Sequence, residues 1–165
     1  MRILIAIDDS ECSSIVVDSI LNNCWSGDVT FNVITVVEPL NIQFALSGAY
    51  YLDAVAEAQR DFADRCRQFL EEKVELLKNK LGANRITSKV IDGDIASSIV
   101  AEAMEWDADL IILGSHGRSG FQKLLLGSVA EKVVSHAPCS VQIVKPKVKK
   151  EKSAGKKLST SEAIS

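Results

Sequence analysis

The amino-acid sequence predicts an α/β fold in which an open five-stranded parallel sheet carries helices on both faces. Short runs rich in β-branched and other apolar residues alternate with longer segments whose apolar residues recur every three or four positions. The length of 165 residues and the hydrophobic share of 47% suit one globular domain with a sizeable core. We therefore expect each strand to return to the sheet through a right-handed helical crossover.

The first strand and the first helix are predicted from a change of pattern near the start of the chain. Arg2–Ile7 is a short apolar run that acidic residues end, which indicates a buried strand. Cys12–Cys24 repeats its apolar residues at helical spacing, and Ser10 is a suitable N-cap for this helix. Ser13 and Ser14 are the alternative caps.

The second strand leads into the longest predicted helix. Val29–Val37 is rich in β-branched residues, and Pro39 ends it because proline cannot continue a strand ladder. Asn41–Ala49 is polar and rich in small residues, so we expect a surface loop. Tyr51–Leu81 is amphipathic, and Gly82 ends it. Its apolar stripe, which we assign to core packing, consists of Ala58, Phe62, Cys66, Phe69, Val74, Leu77 and Leu81.

The remaining elements repeat the alternation of strand and helix. Arg85–Ile91 is the third predicted strand, and Ile95–Glu105 is the helix that follows it. Ala108–Leu113 is a fourth, almost wholly apolar strand. Ser128–Ser135 has helical spacing, and Ser140–Val144 is the fifth strand.

The carboxyl-terminal residues differ in composition from the rest of the chain. From Lys145 onward, seven lysines against two glutamates give +5, whereas twelve basic against twenty acidic residues give −8 in the remainder. We predict one domain over residues 1–145 and a disordered Lys- and Ser-rich tail over 146–165, solvated rather than bound to an acidic partner or a membrane. The acidic body argues against a nucleic-acid partner.

Hydropathy and cysteine usage indicate the cellular setting. No apolar run approaches the roughly 20 residues that a membrane-spanning helix needs, and the apolar start is too short for a signal peptide. We therefore expect a cytoplasmic protein that is not associated with a membrane. Cys12, Cys24, Cys66 and Cys139 are scattered without a Cys-x-x-Cys pair, so we expect free thiols and no zinc site.

The pattern with the greatest functional content is a glycine-spaced loop between the fourth strand and the last helix. The loop runs from Gly114 to Gly120, and glycine returns at Gly127 just before the helix. A strand that ends in glycines and leads into a helix N-terminus favours phosphate, because backbone N–H groups can approach the anion and the helix dipole attracts it. The loop therefore predicts a nucleotide-binding site, to which Ser128 would add a hydroxyl donor.

Two other residues are expected near this loop. In open parallel sheets, ligands bind beyond the carboxyl ends of the strands. Asp8 follows the first strand, where its carboxylate would face the nucleoside or help to hold a metal ion on the phosphates. Val36 lies at the end of the second strand and would offer apolar contact to a base. If the first and fourth strands are neighbours, one crevice holds both Asp8 and the glycine loop.

Each of these residues also has a purely structural interpretation. Gly114 and Gly117 would then form only a tight turn, Gly127 would be a flexible joint before the helix, and Asp8 would solvate a turn. His116 could contact phosphate, but the sequence offers no identifiable partner that would make it a catalytic base.

Three common site motifs are absent from the sequence. There is no Walker A string, Gly-x-x-x-x-Gly-Lys-Ser/Thr, and no Gly-x-Gly-x-x-Gly dinucleotide fingerprint. A nucleophile elbow would read Gly-x-Ser-x-Gly, which Gly117–Gly120 misses by one residue. The glycine loop therefore belongs to a different type.

At these residues the sequence resembles the universal stress protein family of the ATP-binding type. The motif of that family is Gly, two residues, Gly, nine residues and then Gly-Ser or Gly-Thr, and Gly114, Gly117, Gly127 and Ser128 match it in full. Further similar segments, in order, are Ile5–Ser10, Ile34–Glu38 and Ser135–Val144. The resemblance covers about residues 1 to 145.

The resemblance implies an adenine nucleotide alpha hydrolase-like sheet in strand order 3-2-1-4-5, which places the first and fourth strands side by side. It also implies bound ATP, with magnesium or manganese held mainly by the phosphates, and a homodimer in which the Ser140–Val144 strands pair. The adenosine would be surrounded by Ala6, Ile7, Asp8 and Val36. The ribose and phosphates would be held by Gly114, Ser115, His116, Gly117, Arg118, Ser119, Gly120, Gly127, Ser128, Val129 and Ala130.

Together these features favour a binding protein over an enzyme. The leading interpretation is a cytoplasmic adenine-nucleotide sensor or regulator in the stress response, whose ATP occupancy alters dimerisation or the choice of a regulatory protein partner. Because no positioned base is identifiable, we expect ATP hydrolysis to be absent or very slow. The alternatives are a slow ATPase or nucleotide-transfer enzyme, a cyclic AMP-binding relative, and a nucleotide-free dimeric scaffold.

Overall fold

The computed structural model confirms a five-stranded sheet in which all paired strands are parallel. The structure describes residues 1–39, 49–117 and 126–146. The strands are β1 (Arg2–Ala6), β2 (Thr30–Val37), β3 (Ile86–Asp92), β4 (Leu110–Gly114) and β5 (Ser140–Val144). The helices are α1 (Glu11–Leu21), α2 (Ala49–Leu81), α3 (Ile95–Glu105) and α4 (Ser128–His136). The strand order, β3-β2-β1-β4-β5, is the one that the resemblance implied.

β1 lies at the centre of the sheet, between β2 and β4. Its last residue, Ala6, pairs with Ile34 of β2 on one side and with Leu113 of β4 on the other. The strand order reverses between β1 and β4, and the carboxyl ends of these strands lie at one edge of the sheet. Ligands of open α/β proteins bind in the crevice outside this point of reversal.

Two apolar cores form, one on each face of the sheet, because side chains alternate along a strand. Ile3 and Ile5 belong to the first core, which α1 and α2 cover. Leu4 belongs to the second core, which α3 and α4 cover. All three side chains are fully buried, and each such burial stabilises the fold by about 1.5–3 kcal/mol. β1 is therefore enclosed on both faces, as expected for a central parallel strand.

α1 begins one residue before the predicted Cys12 and ends earlier than predicted. The side chain of Ser10 accepts a hydrogen bond from a backbone N–H of the first turn, so Ser10 is the N-cap rather than either alternative serine. The helix ends at Leu21 and not at the predicted Cys24. The reason is a cap at Asn22, whose Nδ2 donates to the carbonyl oxygen of Asp18 at 2.8 Å.

α2 is the longest element and begins earlier than predicted. Ala49 lies in the helix rather than in a loop, and the rest of the predicted loop, 41–48, lies outside the described residues. The helix ends before Gly82 as predicted, because the φ of 101° at this glycine suits few other residues. At about 1.5 Å per residue its 33 residues span about 50 Å, roughly twice the length of the eight-residue β2.

α3 and β5 have the predicted bounds, and the bounds of the other elements differ from the prediction by one or two residues. The largest shift is at β4, which begins at Leu110 rather than Ala108. The N–H of Ala108 donates to the carbonyl oxygen of Ala103 at 2.9 Å and so belongs to the end of α3. Asp107 lies between the end of α3 and Ala108, and its φ of 53° turns the chain out of the helix.

A partly buried polar network joins α3 to the sheet on the second face. Asn32, which is 4% exposed, donates from Nδ2 to Glu102 Oε1 at 2.9 Å. Lys89 donates from Nζ to Glu102 Oε2 at 2.6 Å. This hydrogen bond to Glu102 raises the pKa of Lys89 above its ordinary value of 10.5. The network fixes α3, whose first turns border the cavity described below.

Asp94 caps the start of α3. Its Oδ1 accepts from the hydroxyl of Ser97 at 2.6 Å and from the N–H of the same residue at 2.9 Å. These two hydrogen bonds lower the pKa of Asp94 below its ordinary value of 3.8, and the bond from the Ser97 hydroxyl has the larger effect.

Three further predictions concern surface, redox and tail properties. None of the described helices has the length and apolar character needed to cross a membrane. All four cysteines are free thiols; Cys24 is exposed, Cys66 is buried, and burial raises the pKa of Cys139. Residues 147–165 of the predicted tail lie outside the described residues.

Candidate functional site

A cavity of about 550 Å³ opens at the carboxyl ends of β1, β2 and β4. Every predicted site residue that the structure describes lines this cavity. These residues are Ala6, Ile7, Asp8, Val36, Gly114, Ser115, His116, Gly117, Gly127, Ser128, Val129 and Ala130. The other three, Arg118, Ser119 and Gly120, lie outside the described residues.

The cavity has an apolar side and a polar side. On the side of β2, the wall contains Ile34 and Val36, joined by Ile95 and Ile99 from the first turns of α3. On the side of β4, the wall consists of the loop 114–117 and the start of α4. Because β1 separates β2 from β4, the two sides lie about two strand spacings, or about 10 Å, apart.

Asp8 is held at the end of β1 by two serine residues. Its Oδ1 accepts from Ser13 Oγ at 2.6 Å, from Ser10 Oγ at 2.5 Å and from the N–H of Ser10 at 3.2 Å. Its own N–H donates to Ser13 Oγ at 2.8 Å. Ser13 is 4% exposed, so its hydroxyl is an internal support for the carboxylate. The sequence did not reveal this role, since Ser13 was considered only as an alternative helix cap.

Close approach of other groups accounts for the glycines of the loop. Among the described glycines, those with positive φ are Gly27, Gly82 and Gly93, none of which belongs to the motif. A Cβ at Gly117 would lie 2.8 Å from Asp8 Oδ2. A Cβ at Gly127 would lie 3.1 Å from the carbonyl oxygen of Ser115. Glycine at these positions lets the loop pack against β1 and against its own backbone.

Gly114 has a structural role that the sequence left open. A Cβ at this position would lie 2.9 Å from the Cβ of Cys12 in the first turn of α1. Such a separation is shorter than real Cβ contacts, so a larger residue would force the end of β4 away from α1. This contact supports a structural role for Gly114 in packing β4 against α1. Gly114 also lines the cavity, so the structural role does not conflict with a role in the site.

The start of α4 presents backbone donors to the cavity. Gly127 is the N-cap, and because it has no side chain it cannot accept from the N–H groups of the first turn. Ser128, Val129 and Ala130, which form that turn, all line the cavity. Unsatisfied N–H groups and the positive end of the helix dipole favour an anion at this position.

Ser115 anchors the loop between β4 and α4. Its N–H donates to the carbonyl oxygen of Val144 at the end of β5, at 2.9 Å, and its carbonyl oxygen accepts from the N–H of Gly127 at 2.8 Å. Its hydroxyl lies 3.0 Å from Nδ1 of His116, and the residue is 1% exposed. The base of the loop is thus fixed from both sides, while His116 lines the cavity.

The assignment of Phe62 to the core was wrong. Phe62 is half-buried and lines the cavity, whereas Phe69 packs against the first core as predicted. Ala58, one turn earlier in the same stripe, is exposed. The reason is the length of α2, whose stripe continues past the sheet without any change in helical spacing. Nothing in the periodicity could have distinguished Phe62 from Phe69.

The described residues contain no group of three or more His, Cys, Asp or Glu side chains that could hold a metal ion. Asp8 is the carboxylate on the polar side of the cavity. Magnesium prefers carboxylate and phosphate oxygens and keeps several waters, so one carboxylate beside a bound phosphate suits such an ion.

The sheet and its cavity define an open α/β domain with a ligand crevice at the point where the strand order reverses. A sequence model of the universal stress protein family matches residues 1–145. The chain belongs to this family.

Relatives of known sequence carry the same family name. A universal stress protein of Methanocaldococcus jannaschii is 41% identical over 80 residues, which are 48% of this chain and 46% of the relative. A universal stress protein of Methanothermobacter thermautotrophicus is 50% identical over 54 residues, 33% of this chain and 36% of the relative. The chain thus matches less than half the length of these two relatives. A protein of Staphylococcus aureus USA300 is 28% identical over 148 residues, with 87% and 83% of the two chains covered.

Solved structures share the fold at lower identity. The universal stress protein UspA from Lactobacillus plantarum has a TM-score of 0.74 at 19% identity, covering 87% of this chain and 97% of that one. An Archaeoglobus fulgidus universal stress protein in complex with dAMP has a TM-score of 0.56 at 19% identity, covering 87% and 96%. A universal stress protein in complex with cAMP has a TM-score of 0.53 at 22% identity, covering 88% and 96%.

Proposed function

We propose that this universal stress protein binds ATP in the cavity at the carboxyl ends of β1, β2 and β4 and acts in the cytoplasm as an adenine-nucleotide sensor or regulator of the stress response. The observation that carries the proposal is the meeting of Asp8, the glycine loop and the start of α4 around one cavity. The volume of about 550 Å³ is in the range of small-molecule sites. The backbone donors of α4 suit phosphate groups.

The two sides of the cavity suggest how the nucleotide lies. The adenosine would contact Ala6, Ile7 and Val36, since the apolar wall is on the side of β2. The phosphates would lie near Gly117 and the first turn of α4, where backbone N–H groups are available. By the family motif, the same loop would place Arg118, Ser119 and Gly120 on the ribose and phosphates. Asp8 would help to hold magnesium or manganese, whose remaining ligands would come from the phosphates and water.

Family relatives support an adenine nucleotide as the ligand class. The complexes with dAMP and with cAMP both contain an adenine base and a single phosphorus centre. They do not favour a triphosphate over a monophosphate. The preference for ATP rests on the complete Gly-x-x-Gly-x₉-Gly-Ser motif, and a cyclic AMP-binding protein is the second candidate.

The sensing role would be expressed through partner contacts of this chain. Among the strands that the structure describes, β5 lies at an edge of the sheet, so one side of its backbone has no described strand beside it. A second copy pairing along Ser140–Val144 would give the homodimer that the family resemblance implies. We propose that ATP occupancy alters this pairing or the binding of a regulatory protein, and that hydrolysis is absent or very slow.

Calorimetric titration of nucleotide-stripped protein with ATP, with and without magnesium, tests the proposal. We expect saturable binding at one site per chain, and at 100 times the Kd a stabilisation of about 2.7 kcal/mol, which raises Tm by roughly 5–10 °C. AMP and cyclic AMP, titrated in parallel, decide between the candidate ligands. Folded protein that takes up none of these nucleotides would rule out the proposed function, and turnover of about 1 per second or more would make the protein an enzyme.

A matched pair of variants locates the site. Asp8→Asn removes a charge from the cavity wall, and Asp9→Asn removes the same charge from the exposed neighbour that does not line the cavity. Hydrogen bonds and ion contacts of charged groups contribute about 1.5–3 kcal/mol, so Asp8→Asn should weaken magnesium-ATP binding by about 10- to 100-fold. Asp9→Asn should change it by less than about 2-fold. Equal effects of the two substitutions would place the ligand elsewhere.

A further inference from the structure

α2 brings an aromatic ring to the apolar side of the cavity. Phe62 lines this side together with Val36 and Ile95. One turn later in α2, Cys66 is 2% exposed, and two turns later Leu70 packs in the first core. Phe62 therefore marks the point at which the apolar stripe of α2 passes from the core to the cavity wall.

One contact joins this part of α2 to the end of β2, and a second lies within the helix, beside the ring. Gln59, on the same face of the helix one turn earlier, donates from Nε2 to the carbonyl oxygen of Glu38 at 3.3 Å, just past the end of β2. The guanidinium carbon of Arg65 lies over the ring of Phe62, 5.9 Å from its centroid, within the range of a cation–π contact. The ring thus lies on a part of α2 that a hydrogen bond ties to the end of β2.

The chemistry of this wall suits one end of a nucleotide. On the side of β2 the cavity is lined by the aliphatic side chains of Val36, Ile95 and Ile99, together with the exposed Glu38. The anion-favouring start of α4 lies on the opposite side of the cavity, beyond β1. A flat aromatic surface at this distance from a phosphate site can stack on a planar base, and such stacking is worth about 1–3 kcal/mol per base in nucleic-acid complexes.

We propose that Phe62 is a specificity-determining residue that packs its ring against the base of the bound nucleotide, an inference that rests on the proposed function. Phe62 then selects ligands that combine a planar base with phosphate. Ligands that present phosphate alone, such as inorganic tripolyphosphate, gain nothing from this wall. The specificity for a base comes from α2, which carries no part of the glycine motif.

Two substitutions at Phe62 separate ring stacking from simple filling of space. Phe62→Tyr keeps the aromatic ring, and Phe62→Leu keeps an apolar side chain without a ring. Phe69→Leu makes the same change two turns later, where the ring packs against the first core and not against the cavity. Calorimetric titration with ATP gives the affinity of each variant, and thermal unfolding confirms that each one is folded.

We expect Phe62→Leu to weaken ATP binding by at least about five-fold and Phe62→Tyr to stay within about two-fold of the unmodified protein. Phe69→Leu should lower Tm without a comparable change in ATP affinity. The dissociation constant of tripolyphosphate, obtained by competition and corrected for the ATP affinity of each variant, should be the same in the unmodified protein and in Phe62→Leu. If ATP binds the unmodified protein and Phe62→Leu equally well, the role of Phe62 is refuted and the proposed function stands. If ATP does not bind the unmodified protein at all, the proposed function fails first.

Discussion

The packing of Gly117 against Asp8 leads to a prediction that tests the geometry of the site directly. In Gly117→Ala the new methyl group would lie 2.8 Å from Asp8 Oδ2, closer than real Cβ contacts allow. Asp8 cannot rotate away freely, because its Oδ1 accepts three hydrogen bonds from Ser10 and Ser13. Either the carboxylate gives up some of these bonds, or the loop moves away from β1.

Both responses have a similar cost. Hydrogen bonds to a charged group are worth about 1.5–3 kcal/mol, and overpacking by one methyl group costs about 1–3 kcal/mol. We therefore expect Gly117→Ala to lower the free energy of unfolding by about 2 kcal/mol, which lowers Tm by about 4–8 °C. Urea unfolding followed by circular dichroism measures this change.

A double-mutant cycle shows whether the contact with Asp8 is the cause. In an Asp8→Ala background the methyl group of Gly117→Ala meets no carboxylate, so its cost should fall by about 1–2 kcal/mol. Gly27→Ala is the control: its strain comes from a φ of 78°, and nothing lies within 4 Å of the added Cβ. Its cost should be the same in both backgrounds to within about 0.5 kcal/mol. If Gly117→Ala lowers the free energy of unfolding by the same amount with and without the Asp8 carboxylate, the packing of Gly117 against Asp8 is refuted.

Two further predictions concern the anchoring of α3. Glu102→Gln keeps an acceptor for the Asn32 amide, whereas Glu102→Met removes the acceptor at similar side-chain size. In urea unfolding, Glu102→Met should therefore be less stable than Glu102→Gln by about 1–3 kcal/mol. Equal stabilities would show that water replaces the carboxylate. Because the pKa of Asp94 is lowered on folding, the charged cap stabilises the protein fully above pH 3.8 and loses this effect as the pH falls through the lowered pKa. The Tm difference between the unmodified protein and Asp94→Asn should therefore shrink below pH 3.8, and a difference that is constant down to pH 2.5 would contradict the assignment.

The sequence predicted the features that depend on local pattern and on chain order. Ser10 is recognisable as a cap because a serine precedes a run with helical spacing, and Gly82 as a terminator because it follows such a run. The alternation of strand and helix forces a parallel sheet, since a helix must carry the chain back before the next strand can pair. The order of the strands came from the family resemblance, not from this alternation.

The remaining features depend on where elements end in space. Phe62 and Phe69 occupy equivalent positions of one helical stripe, and only the height of the sheet beside α2 places one in the cavity and the other in the core. The support of Asp8 by Ser13 depends on how α1 begins, which spacing alone does not fix. The reason for glycine at 114 and 117 is likewise a matter of neighbours, because neither has the positive φ that other residues rarely adopt.

The hydrogen bond from the N–H of Ser115 to the carbonyl oxygen of Val144 has a thermodynamic consequence for the proposed sensing role. Ser115 lines the cavity, and its N–H is hydrogen-bonded to Val144, the last residue of the edge strand β5. If a nucleotide favours one position of the loop, and a pairing strand favours one position of β5, the two binding events have a common coupling free energy. By linkage, the factor by which each bound nucleotide changes the association constant at the edge equals the factor by which association changes the affinity for that nucleotide. Measuring either factor would therefore give the other.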